Sequence, residues 1–504
     1  MFFMKVRIFV LLTMVTSFVV ATSFRSSHLT VAERVPYTEL LVKNDSVLIE
    51  DFLGVNGVYH GFAFMDDPNV KVMSDQDRKT EFERVKNMEL KIARTWYRPD
   101  WACGTNLYND FNWESKRMKA FYLWLDKMKE LKVDVALQAG WWFTKDTYHN
   151  TDGKQEAAPD TVKDPLRYAR WVRESLHELI KVRGYDNIKY LVLFTEPLNY
   201  RSGIIPKGFT EPDYYDKVCT EIHNELKRTG LRSNVKLVGP NSGSTDTAAY
   251  VGWSVNKMND VIDIYSWHSY NGKQFNTNPP LEYDGWKQIA LAGREKIRKT
   301  GKPYWIDEYG ANKPDETIRF KADYGNYLAQ CVAAFINSGA QSSLLWILFD
   351  QKYAASRTTN KDSFYNGVHR WGLTRSPQDS IDNPGAPYPS WYAFSLMSKY
   401  LGGRTDSKAF KTSQADSLYV VATQPSENNI SVMVVNAAHT AKKFRVKFAR
   451  QPSGGLDRYL YNPAKISKPG KNEMLVSDKQ IKKSDTGFFD DIPPRGVAIY
   501  TTLK

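Results

Sequence analysis

Between Leu53 and about Gly403, short apolar runs alternate with segments whose apolar residues recur every three to four positions. The runs are apolar at consecutive positions, which is typical of strands buried on both faces of a parallel sheet. Eight strand–helix pairs predict an α/β fold with a closed (β/α)8 TIM barrel rather than an open sheet. The predicted strands are Leu53–Val58, Lys91–Thr95, Asp134–Gln138, Lys189–Phe194, Lys236–Gly239, Ile262–Trp267, Pro303–Ile306 and Ser342–Leu348.

The segment that begins at Asp164-Pro165 has the clearest helix signals. An aspartate at the N-cap is followed by proline in the first turn, and Gly184 stands just past the predicted end. Helices are predicted at about 80–90, 114–131, 164–183, 210–229, 245–258, 283–299, 319–338 and 390–401. The stretch Asp350–Pro389 after the eighth strand lacks a helical pattern, and we expect it to rim the barrel mouth or to form an ordinary surface loop.

After Gly403 the pattern changes to short β-type runs separated by turn residues. This pattern predicts a C-terminal antiparallel β-sandwich at 404–504, beside the barrel domain at 50–403. No Pro-, Ser- or Gly-rich linker lies between them, so we expect the two domains to pack together. The stretch Val42–Phe52 also looks strand-forming, so residues 35–49 could join the β-domain.

Residues 1–23 have the pattern of a secretory signal peptide. Lys5 and Arg7 precede the apolar stretch Ile8–Val20, and we expect cleavage after Ala21 or Ser23. An uncleaved membrane anchor is the alternative, although the stretch is short for a span. The prediction is a secreted, periplasmic or cell-surface protein with no membrane span in the mature chain.

Composition narrows the class of protein only slightly. Of 504 residues, 42% are hydrophobic and 25% are charged, which is ordinary for a globular protein. The formal charge of +13 would suit nucleic acid, but an exported chain without a nucleic-acid-binding motif argues against that partner. An acidic polysaccharide or an anionic cell surface stays open. Cys103, Cys219 and Cys331 form no CxxC pattern, which favours buried thiols over a disulfide framework, with one bridge as the alternative.

Two acidic motifs follow directly on predicted strands. Phe194-Thr195-Glu196-Pro197 closes the fourth strand, and Ile306-Asp307-Glu308-Tyr309-Gly310 closes the seventh. Barrel enzymes carry catalytic side chains at the carboxyl ends of their strands, and two carboxyl groups facing each other across a sugar-sized gap hydrolyse glycosides. Strand alternation predicts that Asp307 points away from Glu308. The sequence has no HExxH, GxSxG or Gly-rich phosphate loop, so we predict neither metal nor cofactor.

With these motifs on strands four and seven, residues 50–403 resemble the retaining glycoside hydrolases of clan A. The appended β-domain is similar to that of families 39 and 30 and of part of family 5. The resemblance implies that Glu196 is the acid/base and Glu308 the nucleophile. We expect their carboxyl groups to lie ~5–5.5 Å apart, the spacing of a retaining enzyme.

The same resemblance implies supporting roles for residues on strands two and six. Arg94, or else Arg98, should lie near Glu308 and lower the pKa of its carboxyl. In the motif Trp267-His268-Ser269-Tyr270, His268 should line the site near the acid/base. Tyr270 should donate a hydrogen bond to the nucleophile.

Tryptophans cluster after the predicted strands. Flat rings cover the apolar faces of sugars while polar groups bind the hydroxyls. The resemblance implies that Trp346 on strand eight forms the floor of the sugar site. Trp141, Trp142 and Trp371 are further candidates for substrate binding, or else for core packing.

Thr195 stands where clan A usually has an asparagine that contacts the sugar 2-hydroxyl. A single hydroxyl cannot replace the two N–H donors of an amide. Either another group reads that position, with Asn199 and Asn241 as candidates, or the substrate differs there.

The expected activity is therefore hydrolysis of O-glycosyl bonds in a poly- or oligosaccharide by double displacement. One alternative is a non-catalytic or weakly active carbohydrate-binding protein on the same scaffold. Another is a transglycosylase.

Overall fold

The eight apolar runs form a closed barrel of parallel strands, as predicted. The structure is a computed structural model that describes residues 37–61, 73–103, 111–139, 148–149, 155–156, 164–197, 205–243, 247–270, 282–311, 316–352, 368–378, 383–403, 406–470, 472–484 and 486–504. Neighbouring barrel strands are consecutive along the chain, and the eighth pairs with the first. The strands, numbered one to eight below, are Gly54–Val58, Ile92–Tyr97, Asp134–Ala139, Ile188–Val192, Lys236–Ser242, Ile264–Ser269, Tyr304–Tyr309 and Ser342–Leu345.

Within the described ranges, an α-helix follows each barrel strand along the chain. The fourth-strand motif is preceded by the helix whose start the sequence marks most clearly: the Asp164 carboxylate accepts hydrogen bonds from the backbone N–H groups of Leu166 and Arg167. The helix then widens into a π-turn at His177–Val182. The α-helices are Asp75–Asn87, Lys116–Glu130, Pro165–Leu176, Glu211–Arg228, Thr247–Lys257, Tyr283–Ile297, Asp323–Asn337 and Pro389–Leu401.

Among the residues that the structure describes, the second domain is one largely antiparallel sheet of nine strands, folded into two layers. The aromatic ring of Tyr500, near one end of the sheet, contacts Phe444 and Phe488 at the other end, with centroids 6.4 and 4.7 Å apart. The N-terminal strand joins this sheet through both Lys408–Thr412 and Lys442–Phe448. The strands are Thr38–Ile49, Lys408–Thr412, Leu418–Ser426, Asn429–Asn436, Lys442–Phe448, Leu456–Tyr461, Lys479–Ile481, Gly487–Ile492 and Val497–Thr501.

The β-domain packs directly on the barrel, and residues Tyr37–Lys504 form one compact unit. A shared core includes barrel helix residues together with Met433 and Ile499 of the sheet. The Asn326 amide donates to the carbonyl of Asn436 across the contact, at 3.0 Å. Arg84 and Glu473 form a further ion pair, with Nε 2.7 Å from Oε2. Shared core residues, a hydrogen bond and an ion pair therefore join the two domains.

Two sequence-based expectations concern thiols and membrane spans. Cys103, Cys219 and Cys331 are buried and unbridged, as favoured above. None of the described helices is both long enough and apolar enough to traverse a bilayer. The proposed signal peptide lies outside the described residues and stays a prediction.

Glu81 on the first helix is a buried acid, and it makes the stability of the fold depend on pH. Its carboxyl accepts a hydrogen bond from the Tyr59 hydroxyl at 3.0 Å, and burial raises its pKa to about 8. Folding therefore favours the protonated acid, so this contribution is complete below about pH 4.5, the ordinary pKa, and is lost as the pH rises towards 8.

Glu81→Gln should remove this pH dependence, because glutamine has similar shape and no charge to bury. Between pH 5 and 8, the free energy of unfolding should fall more for the natural protein than for the variant. Each unit by which the pKa of Glu81 differs between the folded and unfolded states corresponds to ~1.4 kcal/mol. Chemical denaturation at several pH values measures this. Parallel pH curves for the two proteins would contradict the assignment.

Candidate active site

Glu196 lies just beyond strand four in a strained backbone conformation. Its φ is 43°, and Phe194 and Asn241 also have positive φ values, of 57° and 56°. This left-handed region is unusual for residues other than glycine, and such strain concentrates at functional sites. The backbone N–H of Glu196 donates to the Asn241 carbonyl at 3.0 Å, so the end of strand five holds the glutamate in place.

Glu308, on strand seven, is buried and held by groups from two other strands. The Arg94 guanidinium lies 2.8 Å from its Oε1. The Tyr270 hydroxyl donates to its Oε2 at 3.2 Å. Arg94 makes this contact itself, so the alternative Arg98 is not needed for it. A carboxylate with both oxygens occupied in this way is fixed in orientation.

His268 lies between the two glutamates. Its Nδ1 is 2.6 Å from Glu196 Oε1 and 3.3 Å from Glu308 Oε2. One oxygen of each carboxyl group and a ring nitrogen of His268 all lie within 4.8 Å of one another. The structure thus brings together Glu196, Glu308, Arg94, His268 and Tyr270, residues from four different barrel strands or their ends.

Asp307 does not point away from this cluster, so the expectation from strand alternation was wrong. The pairing of strands six and seven shifts register between Ile306 and Glu308, which is the signature of a β-bulge. A bulge places an extra residue on one strand and redirects its side chain. Asp307 is fully buried, and its Oδ1 lies 3.9 Å from His268 Nε2. Asp307 and Glu308 therefore contact the same imidazole, at opposite nitrogens.

A second bulge turns Asn241 inward on strand five, where the register shifts between Pro240 and Ser242. The Asn241 amide donates to Asp307 Oδ2, and its carbonyl oxygen accepts from the Thr195 hydroxyl at 3.0 Å. Thr195 in turn accepts from Arg94 at 3.1 Å. Asn241 is fully buried and contacts Asp307 and Thr195 through its amide, so a direct contact with the sugar stays a prediction.

For both Glu308 and His268, burial and the neighbouring groups of opposite charge shift the pKa in opposite directions. Burial raises the pKa of the Glu308 carboxyl and outweighs His268 and Arg94, which lower it. Arg94 lowers this pKa, as expected, but burial has the larger effect and leaves the pKa raised. Burial alone would lower the pKa of His268, but the carboxylates of Glu308, Glu196 and Asp307 raise it above 6.5.

Glu196, His268 and Glu308 also offer a set of donor atoms that a divalent metal could bind. Metal binding requires a neutral imidazole, whereas the surrounding carboxylates raise the pKa of His268 and favour its protonated form. The Arg94 cation already pairs with Glu308. These two features make the site a poor fit for a metal.

Aromatic residues pack together at the carboxyl ends of strands one, two and eight. Trp346 packs near Trp96 and Trp371, with ring centroids 5.2 and 6.0 Å away. Its ring also lies 5.4 Å from that of His60. Trp141 and Trp142, the other predicted platforms, lie outside the described residues.

Three residues of this region, His60, Trp96 and Gln138, were not among the site residues predicted from the sequence. Gln138 on strand three accepts hydrogen bonds from Arg94, and the buried His60 has its pKa lowered by burial and by Arg94. All three occupy the carboxyl-terminal part of a barrel strand or the residues just after it. The rule that identified Glu196 and Glu308 would have found them if it had been applied to strands one to three.

Solved structures with the same architecture include several glycosidases. A family 30 subfamily 8 xylanase from Clostridium acetobutylicum is 15% identical, with a TM-score of 0.59 over 92% of this chain and 99% of that one. An endo-β-1,6-glucanase is 13% identical, with a TM-score of 0.61 over 93% and 96%. A family 39 β-xylosidase from Caulobacter crescentus is 12% identical, with a TM-score of 0.59 over 92% and 98%. No protein-family model matches the sequence, and no curated protein matches it. At these identities the similarity shows a shared fold.

Proposed function

We propose that this protein is an exported retaining glycoside hydrolase that acts on a poly- or oligosaccharide. The observation that carries the proposal is the pair Glu196 and Glu308, with carboxyl oxygens within 4.8 Å of each other around His268. Retaining enzymes hold their two carboxyl groups ~5–5.5 Å apart, whereas inverting enzymes leave ~6.5–9.5 Å for a water molecule. The short distance supports double displacement.

The contacts of each glutamate support its role. Glu308 is oriented by Arg94 and Tyr270, as suits an attack on the anomeric carbon that forms a glycosyl–enzyme ester. Glu196 is the more exposed of the two side chains, at 16% against 8%, and protonates the leaving oxygen. It then removes a proton from the water that cleaves the ester.

Trp346 is the best placed of the described residues to form the floor of the sugar site. Trp346 is partly exposed and packs near Trp96 and Trp371. Its backbone N–H donates to the carbonyl of Tyr309, the residue after Glu308, at 2.9 Å. An aromatic ring can cover the C–H face of a sugar. This role rests on the position of Trp346 and on its partial exposure.

Thr195 favours one alternative, a carbohydrate-binding protein with weak or no turnover. Its hydroxyl is committed to Asn241 and accepts from Arg94. Thr195 has no amide, and its one O–H group already donates to Asn241. It therefore cannot make the contact with the sugar 2-hydroxyl that strengthens in the transition state. Both glutamates and their partners are in place, which favours the enzyme.

Assays with aryl glycosides and plant or algal polysaccharides separate these functions. We expect hydrolysis of at least one glycoside, and proton NMR should show that the first product has the same anomeric configuration as the substrate. Binding of a glycan without any hydrolysis would favour the non-catalytic alternative. Transfer products that dominate at high acceptor concentration would identify a transglycosylase.

A further inference from the structure

The Asp307 carboxyl lies beside the His268 ring, at the nitrogen opposite to the one that faces the two glutamates. Neither His268 Nε2 nor Asp307 Oδ1 has a hydrogen-bond partner among the described residues, and the two atoms are 3.9 Å apart. Leaving a buried polar atom unpaired costs ~1–3 kcal/mol. This free-energy cost is smaller if the imidazole and the carboxyl group carry opposite charges, because the two groups then attract each other.

The other nitrogen of His268 also faces acids. Nδ1 lies 2.6 Å from Glu196 Oε1 and 3.3 Å from Glu308 Oε2. A neutral imidazole has a lone pair on one nitrogen, which would then face a carboxylate oxygen. An imidazolium has a donor at both nitrogens, so it matches both sides of the site.

The balance of charges over the proposed reaction cycle also favours a protonated His268. Before reaction, with Glu196 protonated, the anions Glu308 and Asp307 are matched by the cations Arg94 and His268. Proton transfer to the leaving oxygen makes Glu196 an anion, while ester formation removes the charge of Glu308. The site then again holds two anions and two cations.

We propose that Asp307 is a positioning residue that keeps His268 as an imidazolium throughout this cycle. His268 donates Nδ1–H to Glu196 Oε1, and the other oxygen of Glu196 holds the proton that goes to the leaving group. Asp307 acts through His268 and touches no reacting atom. Asn241 fixes the second oxygen of Asp307, so the carboxylate cannot turn away. This inference rests on the proposed glycosidase function.

The groups that face His268 come from four strands or their ends. Glu196 comes from strand four, Asp307 and Glu308 from strand seven, and Tyr270 from just beyond strand six. The Arg94 cation on strand two reaches the cluster through Glu308. The net effect of the neighbouring carboxylates is a raised pKa of His268 despite its burial.

Asp307→Asn tests the proposal, because it removes the charge and keeps the shape. The lost anion disfavours the protonated forms of His268, Glu196 and Glu308. Both limbs of the pH profile of kcat/KM should therefore move to lower pH, by on the order of one pH unit. Asp260→Asn, at an exposed position before strand six, is the matched control and should leave the profile unchanged. A lower rate with unmoved limbs would show a merely structural role and overturn the inference.

Nitrogen-15 NMR of the natural protein labelled at its eight histidines needs neither substrate nor a folded Asp307 variant. The His268 signals are those that disappear in His268→Gln. About one pH unit above the ordinary histidine pKa of 6.5, both nitrogens of His268 should still be protonated. A neutral ring at that pH would overturn the inference even if the enzyme is active. An imidazolium in a protein that hydrolyses no glycoside would instead refute the proposed function.

Discussion

Glu308→Ala is expected to abolish turnover, with a loss in kcat on the order of 10⁴-fold or more. The substitution removes the atom that attacks the anomeric carbon and leaves Arg94 and Tyr270 without their shared acceptor. Added azide or formate should restore part of the activity by filling the vacated space. Because this rescue is a single displacement, its product should have the anomeric configuration opposite to that of the substrate.

Glu295→Ala is a suitable control for this experiment. The Glu295 side chain is 66% exposed on a barrel helix. The substitution therefore removes the same chemical group as Glu308→Ala, but from the protein surface. Activity and product stereochemistry should match those of the natural protein. If Glu308→Ala kept full activity, the description of the fold would be unaffected, but the catalytic site would have to lie elsewhere.

Glu196→Ala should give a different and more selective defect. Glycosides with poor leaving groups need the proton, so their hydrolysis should fall by ~10²–10⁴-fold. Glycosides with activated leaving groups should still form the ester, which then accumulates because no base activates water. Steady-state rates on both substrate types, with a burst of released phenol for the activated one, measure this pattern.

Azide should also rescue Glu196→Ala, now with retained configuration, because it attacks the accumulated ester in the second displacement. The two variants therefore differ in the stereochemistry of rescue as well as in substrate dependence. If the rescued products were swapped between the variants, the acid/base and nucleophile assignments would have to be reversed.

The parts of the fold that follow from local pattern could be predicted from the sequence. Buried parallel strands are continuous apolar runs, and each was found within a few residues of its observed bounds. Glu196 and Glu308 follow such runs directly, so their place at one end of the barrel follows from the strand count. The N-terminal strand was foreseen as a partner of the β-domain, although its two pairings were not.

The parts that depend on register could not be predicted in this way. The bulges at Asn241 and Asp307 are seen in the pairing with neighbouring strands. Regular alternation therefore put Asp307 on the wrong face. It also hid the link from Arg94 through Thr195 and Asn241 to Asp307.

The pKa of Glu308 shows a second limit of sequence reasoning. The neighbouring cation was correctly identified, since Arg94 lies 2.8 Å from the carboxyl oxygen. The degree of burial cannot be read from one sequence, and here burial decides the direction of the shift.

The most direct test of the account is to trap the glycosyl–enzyme. A 2-deoxy-2-fluoro glycosyl fluoride of the sugar found in the glycoside assays should inactivate the natural protein by slowing hydrolysis of the ester. Mass spectrometry of the digested protein should then place one sugar on Glu308, in the peptide that contains Trp305-Ile306-Asp307-Glu308-Tyr309. A sugar attached to any other residue, or an active enzyme that inverts configuration and forms no adduct, would contradict the account.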